Sequence, residues 1–272
     1  MEYKRNIYIV LTILTILFGC TSTTKKSDSD VDRIQLMILP EYMALNMSQS
    51  GYTEILDEAK KDGILNTDTV QVERVREISY NLINQTYIFR EDAQDWNWEI
   101  NVIDSELINA FCMPGGKIVV YSGLINKLDA TDDELAAVIG HEIAHALREH
   151  GRERMSQAYV QQFGLQALAA FVGTGAGAGI AMQGASLGSQ LFFALPNGRE
   201  QERESDRIGL ELAARAGYNP DAAVTLWQKM GAQSKSAPPE FLSTHPASEN
   251  RIADLKALAP KVRPLYLAAK RK

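Results

Sequence analysis

The chain has 272 residues, of which 45% are hydrophobic and 23% are charged. This balance is typical of a globular protein that buries a sizeable core, and the length favours one main domain. The formal net charge is -6, and no long basic tract appears outside residues 270–272. We therefore expect no nucleic-acid partner.

The first residues have the pattern of an export signal. Lys4 and Arg5 precede an uncharged apolar segment, residues 7–18, which is too short to span a bilayer comfortably. This pattern predicts a secretory signal peptide over residues 1–19. A signal anchor that happens to be followed by a cysteine is the alternative.

The junction LFGC, which ends at Cys20, resembles that of a bacterial lipoprotein, in which this cysteine is lipidated and becomes the first mature residue. Thr21 follows it, and in Gram-negative lipoproteins a residue other than Asp there implies sorting to the outer membrane. The resemblance implies a lipid anchor on Cys20 in the cell outer membrane, with the protein facing the periplasm. Residues 20–32 are small and polar, which predicts a flexible tether before a domain at 33–272. With Cys20 acylated, Cys112 has no disulfide partner.

Helical and extended patterns follow one another along the chain. Residues 34–58 and 69–86 have apolar positions at helical spacing. Between residues 96 and 124, short segments rich in β-branched and aromatic residues predict three strands, with a turn at Pro-Gly-Gly, 114–116. The sequence TDDE at Thr131 predicts a capping box and the start of the next helix. Two further helices are predicted at 200–216 and 221–230.

The stretch AAVIGHEIAHALREH, residues 136–150, places two histidines four residues apart on that helix. His141 and His145 share one face, so both imidazoles can reach one zinc ion. Glu142 lies one step around the helix, which suits a general base for a zinc-activated water, and HEIAH thus matches the HExxH pattern of zinc proteases. Two incidental histidines on an amphipathic helix are the alternative. His150 has no such role, and a solvated helix end is expected for it.

A catalytic zinc needs a third protein ligand and an open position for water. The segment GREQERESDRIG, residues 198–209, offers three glutamates. Glu200 and Glu204 share one helix face, whereas Glu202 and Asp206 share another. Periodicity does not choose between the faces, and a solvated charged helix would have the same pattern.

The order of these motifs resembles that of the M48 family of zinc metallopeptidases. HEIAH is followed by ERESD, residues 202–206, which is similar to the family's ExxxD. NAFCMPGGKIVVYSGLI, residues 109–125, resembles the strand region before the family's active helix, and STHPASENRI, residues 243–252, resembles its Thr-His-Pro segment. The resemblance covers about residues 70–255.

The resemblance implies a role for each matched residue. His141, His145 and Glu202 would be the ligands of one zinc ion per chain, and Glu142 would be the general base. Asp206 would orient a ligating imidazole.

Two residues near the end of the matched region each have two possible roles. His245 matches a histidine that can approach the metal in some members, or it is a plain loop residue. Arg251 matches an arginine near the cleft, or it forms a structural salt bridge. Residues 163–195, dense in glycine, alanine and serine, are predicted to form a lid, a plug or a hairpin beside the active site, with a membrane span as the alternative.

The implied fold is α+β: a mainly helical, zincin-like metallopeptidase domain with a small three-stranded sheet before the HExxH helix. The implied activity is hydrolysis of peptide bonds in unfolded or misassembled cell-envelope proteins, as protein quality control. An extended substrate would pair with an edge strand, for which residues 115–123 are the candidate. An outer-membrane-protein assembly chaperone, with a latent or structural zinc site, is the alternative, and the outer-membrane assembly machinery is a further expected partner.

Overall fold

The structure, a computed structural model, describes residues 20–171, 197–233, 239–245 and 250–271, and of residues 162–171 it describes the backbone alone. The strands in these ranges are β1 Cys20–Thr21, β2 Gln35–Leu36, β3 Glu99–Ile103, β4 Ala110–Met113 and β5 Lys117–Tyr121. The helices are α1 Glu41–Lys61, α2 Thr69–Ile83, α3 Ser122–Lys127, α4 Asp132–Leu147, α5 His150–Phe171, α6 Arg199–Arg215, α7 Ala222–Gln233, α8 Glu240–Thr244 and α9 Arg251–Ala269. The predicted α+β, mainly helical fold with a small sheet is confirmed.

The three predicted strands form one sheet with the order β3-β5-β4. β3 runs parallel to β5, and β4 runs antiparallel to it. The predicted turn between β4 and β5 contains Gly115 and Gly116, whose φ angles are +79° and +82°. Glycine is required there because other residues rarely adopt positive φ. A Cβ on Gly116 would also lie 2.6 Å from the Trp98 ring.

The prediction that residues 115–123 provide the edge strand is wrong, because β5 lies in the middle of the sheet. Ile118, Val119 and Val120 are at most 1% exposed. A strand that is apolar on both faces is stabilised by burial between two neighbours, not at an edge. β3 and β4 are therefore the two outer strands of this sheet, and β4 is the one that packs against α4.

Helix α4 is the central element of the core. Its predicted capping box is present: the Thr131 backbone N–H donates to Glu134 at 2.9 Å, and the Glu134 N–H donates to the Thr131 hydroxyl at 3.3 Å. From Glu134 to Leu147 every residue is buried, because α4 packs on β4, α2, α6 and α7. Polar groups inside this helix are therefore shielded from bulk water.

The segment that follows Cys20 packs against the domain, unlike the predicted tether at 20–32. β1 pairs with β2, and Ser29, which is 1% exposed, donates its backbone N–H to Glu211 at 2.6 Å. The predicted helix at 34–58 begins later, at Glu41. Pro40 precedes α1, and residues 35–36 are extended because they pair with β1.

Some predictions fall on parts of the chain outside the described residues. The signal segment 1–19 is one of them, and residues 172–195 of the predicted lid, plug or hairpin are another. The earlier part of that region, up to Phe171, is helical as the end of α5. Among the described helices, none has the length and apolar character needed to cross a membrane.

Candidate metal centre and active site

Four buried side chains converge at the centre of the domain. His141 and His145 come from α4, Glu202 from α6, and His245 directly follows α8. One donor atom from each lies within 4.8 Å of the others. Three imidazoles and one carboxylate form a donor set that zinc prefers. The structure therefore brings together the three predicted ligands and adds His245 as a fourth donor.

The orientation of the rings shows which nitrogens face the cluster. The Nε2 atom of His145 is 3.0 Å from Nε2 of His141 and 3.3 Å from Oε1 of Glu202. Nδ1 of His245 is 2.9 Å from the same Glu202 oxygen. Burial lowers the pKa of His145 well below its ordinary value, which favours the neutral imidazole that binds metals. Burial raises the pKa of Glu202, but the neighbouring imidazoles outweigh it and hold that pKa well below its ordinary value.

Tertiary packing decides between the glutamates that periodicity left open. Glu202 is 4% exposed and faces the cluster. Glu200 is exposed and pairs with Arg203 on the surface. Glu204 is also buried, although it shares a helix face with Glu200, because the N-terminal segment covers that side of α6.

Asp206 and Arg251 surround the imidazole of His141. Oδ1 of Asp206 is 3.0 Å from Nδ1 of His141, the position expected of a carboxylate that orients a ligand. Arg251 donates to Asp206 and to Glu202, both at 2.6 Å, and its guanidinium lies 3.5 Å from the centroid of the Trp227 ring. Arg251 therefore forms the salt bridge that was its alternative role, and this salt bridge joins two carboxylates of the site.

A family model described as Peptidase family M48 matches residues 71–259. The chain belongs to peptidase family M48. This membership and the cluster together confirm the prediction of one zinc ion as the cofactor.

Curated relatives carry two kinds of name. The chain is 34% identical over 270 residues to "Metalloendopeptidase OMA1, mitochondrial" of Bos taurus, which covers 95% of the chain and 50% of that protein. It is 33% identical over 217 residues to "Mitochondrial metalloendopeptidase OMA1" of Arabidopsis thaliana, which covers 76% of the chain and 40% of that protein. It is 32% identical over 175 residues to "Beta-barrel assembly-enhancing protease" of Escherichia coli (strain K12), which covers 61% of the chain and 35% of that protein. The chain thus spans half or less of the length of these relatives.

Glu142, the predicted general base of this M48 domain, is 3% exposed. Burial raises its pKa to about 7; the charge of Glu202 adds to the effect, while His245 and Arg251 oppose it. Its Oε1 atom has no hydrogen-bond partner among the described groups, and Nε2 of His245 is 3.4 Å away. A buried carboxylate oxygen without a partner is costly, so a water or substrate group is expected to bind there.

A small open cleft of about 40 Å³ adjoins the metal centre and the sheet. Its lining includes Glu142, His145 and His245 together with residues of the outer strand β4. The cleft therefore brings the outer strand β4 beside the predicted base and two histidines of the cluster.

The expectation of a solvated helix end for His150 is wrong. His150 is fully buried, with Nδ1 at 2.9 Å from Nδ1 of His145 and Nε2 at 2.9 Å from Oε2 of Glu204. The chain has four histidines, and all four meet at this site. Two features of the sequence could have predicted that His150 lies at the site: the chain has few histidines, and His150 is close to the HExxH motif.

Proposed function

We propose that the protein is a zinc-dependent endopeptidase that hydrolyses peptide bonds of unfolded or misassembled cell-envelope proteins. The observation that carries the proposal is the position of Glu142. Its buried carboxylate, with one oxygen unpartnered among the described groups, lies in a cleft beside a His-His-Glu donor set. A purely structural zinc site has no need of such a base.

Zinc, when bound, would polarise the scissile carbonyl and lower the pKa of a water molecule toward ~7. Glu142 would take a proton from the attacking water as the water oxygen bonds to the scissile carbonyl carbon, and would give that proton to the amine nitrogen as the C–N bond breaks. Burial, which raises the pKa of Glu142, suits a group that must both take up and release a proton. Asp206 and Arg251 hold His141 and Glu202 in place during the reaction.

The shape of the cleft supports an extended polypeptide as the substrate. Residues of the outer strand β4 line the cleft, and a peptide that pairs with this strand would be held mainly by backbone hydrogen bonds. Backbone pairing carries little side-chain preference, so chains that are already unfolded are the best substrates. Cleavage at one defined site, without activity on an unfolded protein, would contradict this part of the proposal.

The cellular setting is also part of the proposal. The LFGC junction supports a lipid anchor on Cys20 in the outer membrane, with the domain in the periplasm. Cys20 is exposed in the structure, as an acylated residue must be. The relative named a beta-barrel assembly-enhancing protease supports a link to outer-membrane assembly machinery.

His245 favours a second candidate function, an assembly chaperone with a latent or structural zinc site. Catalytic zinc usually has three protein ligands, whereas a fourth protein donor closes the coordination sphere. With His245 inside the cluster, this arrangement resembles a closed site. A protein held in this state would bind unfolded chains in the cleft without cutting them.

The deciding experiment compares zinc content and casein cleavage for the chain and its Glu142→Gln variant. Ser22, Thr24 and Arg33 accept hydrogen bonds from Arg148. The protein should therefore begin at residue 20, with Cys20→Ser to prevent lipidation. Glu200→Gln, which removes an exposed charge from α6, is the matched control. One zinc in every protein, with cleavage lost only in Glu142→Gln, supports the endopeptidase. Zinc binding without cleavage by the parent chain would favour the chaperone.

A further inference from the structure

We propose that His150 is a positioning residue that fixes the zinc ligand His145 through a chain of hydrogen bonds ending at Glu204. The inference rests on the proposed zinc site. His145 Nδ1 is 2.9 Å from His150 Nδ1, and His150 Nε2 is 2.9 Å from Glu204 Oε2. All three side chains are buried, so water does not compete for these contacts.

The direction of each hydrogen bond follows from the ring geometry. His145 presents Nε2 to the metal cluster, so in the neutral ring its proton lies on Nδ1. That N–H must donate, and the group in front of it is Nδ1 of His150, which accepts when the proton of His150 is on Nε2. His150 Nε2–H then donates to the Glu204 carboxylate. In the other tautomer of His150, two N–H groups would face each other and a lone pair would face a carboxylate.

Two guanidinium groups donate hydrogen bonds to Glu204, the last residue of this hydrogen-bond chain. Arg148 donates from Nε to Glu204 Oε2 at 3.1 Å, and Arg33 donates from Nε to Glu204 Oε1 at 2.6 Å. These hydrogen bonds fix the position of the Glu204 carboxylate beside Nε2 of His150. The chain of contacts therefore extends from the N-terminal segment, through Glu204 and His150, to a zinc ligand.

This arrangement is separate from the one around His141. Asp206 bonds directly to that ligand, whereas His145 reaches its carboxylate through a second imidazole. Ser205 lies near the same ring, with its hydroxyl 3.3 Å from His150 Nδ1. Ser205 is not part of the hydrogen-bond series from His145 through His150 to Glu204. Ser205→Ala therefore serves as a control for the loss of a buried polar contact.

The first test needs no substitution at the site. Nitrogen-15 NMR of the zinc-loaded chain from residue 20, with Cys20→Ser, distinguishes the tautomers of its four histidines. We expect His145 protonated on Nδ1, and neutral His150 protonated on Nε2 with that proton protected from exchange. His150 protonated on Nδ1, or doubly protonated, overturns the proposal. A chain that takes up no zinc contradicts the proposed function instead, so the two failures are distinguishable.

The second test separates positioning from packing with two substitutions. His150→Asn keeps a carbonyl acceptor near the Nδ1 position, whereas His150→Phe keeps the ring volume and loses both nitrogens. We expect His150→Phe to weaken zinc binding about 10- to 100-fold in chelator competition, and His150→Asn and Ser205→Ala to weaken it less. Thermal unfolding of the metal-free proteins gives the structural comparison. The proposal is overturned if the losses in zinc affinity parallel the losses in unfolding temperature of the metal-free variants. It is also overturned if the zinc affinity of His150→Phe is within about twofold of that of the parent chain.

Discussion

The backbones of Gly140 and Gly209 are in direct contact where α4 crosses α6. A Cβ on Gly209 would lie 2.6 Å from the backbone nitrogen of His141, and a Cβ on Gly140 would lie 2.8 Å from the Gly209 carbonyl oxygen. Real Cβ contacts are not that short, so both positions require glycine. This close approach lets Asp206 on α6 reach the ring of His141 on α4.

Gly209→Ala tests the importance of this helix contact. We expect a loss of about 2–3 kcal/mol in the free energy of unfolding, because the extra methyl group meets backbone atoms that cannot rotate away. Zinc affinity should fall as well, since α6 carries Glu202. Urea unfolding of the metal-free protein and chelator competition measure the two effects.

Gly231→Ala is the matched control for that substitution. Gly231 also lies in a helix, α7, but nothing is within 4 Å of its Cβ position. This change should stabilise the protein by about 0.4–1 kcal/mol, because it restricts the unfolded chain. Equal stability of the two alanine variants would show that the α4–α6 contact tolerates a side chain.

His245→Ala tests whether this histidine closes the metal site. Phe241 stacks on the His245 ring with 4.3 Å between centroids, and Asn197 contacts its Nδ1 at 3.2 Å, so the ring is held in the cluster. Removing it leaves three protein ligands and an open position. We expect casein cleavage to rise at least about fivefold, equivalent to ~1 kcal/mol in the barrier, with zinc content unchanged.

The control for His245→Ala is Thr244→Ala, the preceding residue, which also lines the cleft. It should leave cleavage near the parent rate. Loss of zinc from His245→Ala, without a gain in cleavage, would show that His245 is an obligatory ligand and not a barrier to the open site.

Glu134→Gln tests the pH dependence of stability. Burial raises the pKa of Glu134, but hydrogen bonds from Lys229, Thr131 and Thr225 outweigh it, so the pKa lies below its ordinary value of 4.5. A carboxyl group whose folded pKa is lowered stabilises the protein above about pH 4.5 and loses that contribution as the pH falls. We expect Glu134→Gln to cost about 1–2 kcal/mol at pH 7 and to reduce the decline of stability below pH 5. Urea unfolding at several pH values measures both, and an unchanged acid decline would contradict the assignment.

Arg33→Met tests the attachment of the N-terminal segment. Arg33 bonds Glu153 at 2.5 Å and Glu204 at 2.6 Å, and its loss leaves two buried carboxylates without this partner. We expect the free energy of unfolding to fall by about 2 kcal/mol. This loss is smaller than for a fully buried ion pair because Arg33 is partly exposed. Lys26→Met, in the same segment but on the surface, should leave the unfolding temperature unchanged. Equal unfolding temperatures for the Arg33→Met and Lys26→Met variants would show that Arg33 does not hold the segment in place.

Local sequence determined much of the fold. The capping box at Thr131, the apolar periodicity of α2 and the Pro-Gly-Gly turn depend on residues a few positions apart, and each is found where the sequence predicted it. The HExxH spacing works in the same way, because two histidines four residues apart must share a helix face. Short-range geometry therefore predicted two members of the cluster, and the order of the motifs along the sequence indicated the family by resemblance.

Long-range packing decided the rest. The choice of Glu202 over Glu200, the burial of Glu204 and the partners of His150 depend on elements that are distant in sequence. The order of the sheet is equally non-local, so the central strand β5 and the outer strand β4 could not be distinguished by composition, since both are apolar. The sequence by itself determined which chemical groups the protein carries, and only the tertiary structure decided their partners, because burial and hydrogen bonding are set when separate segments meet.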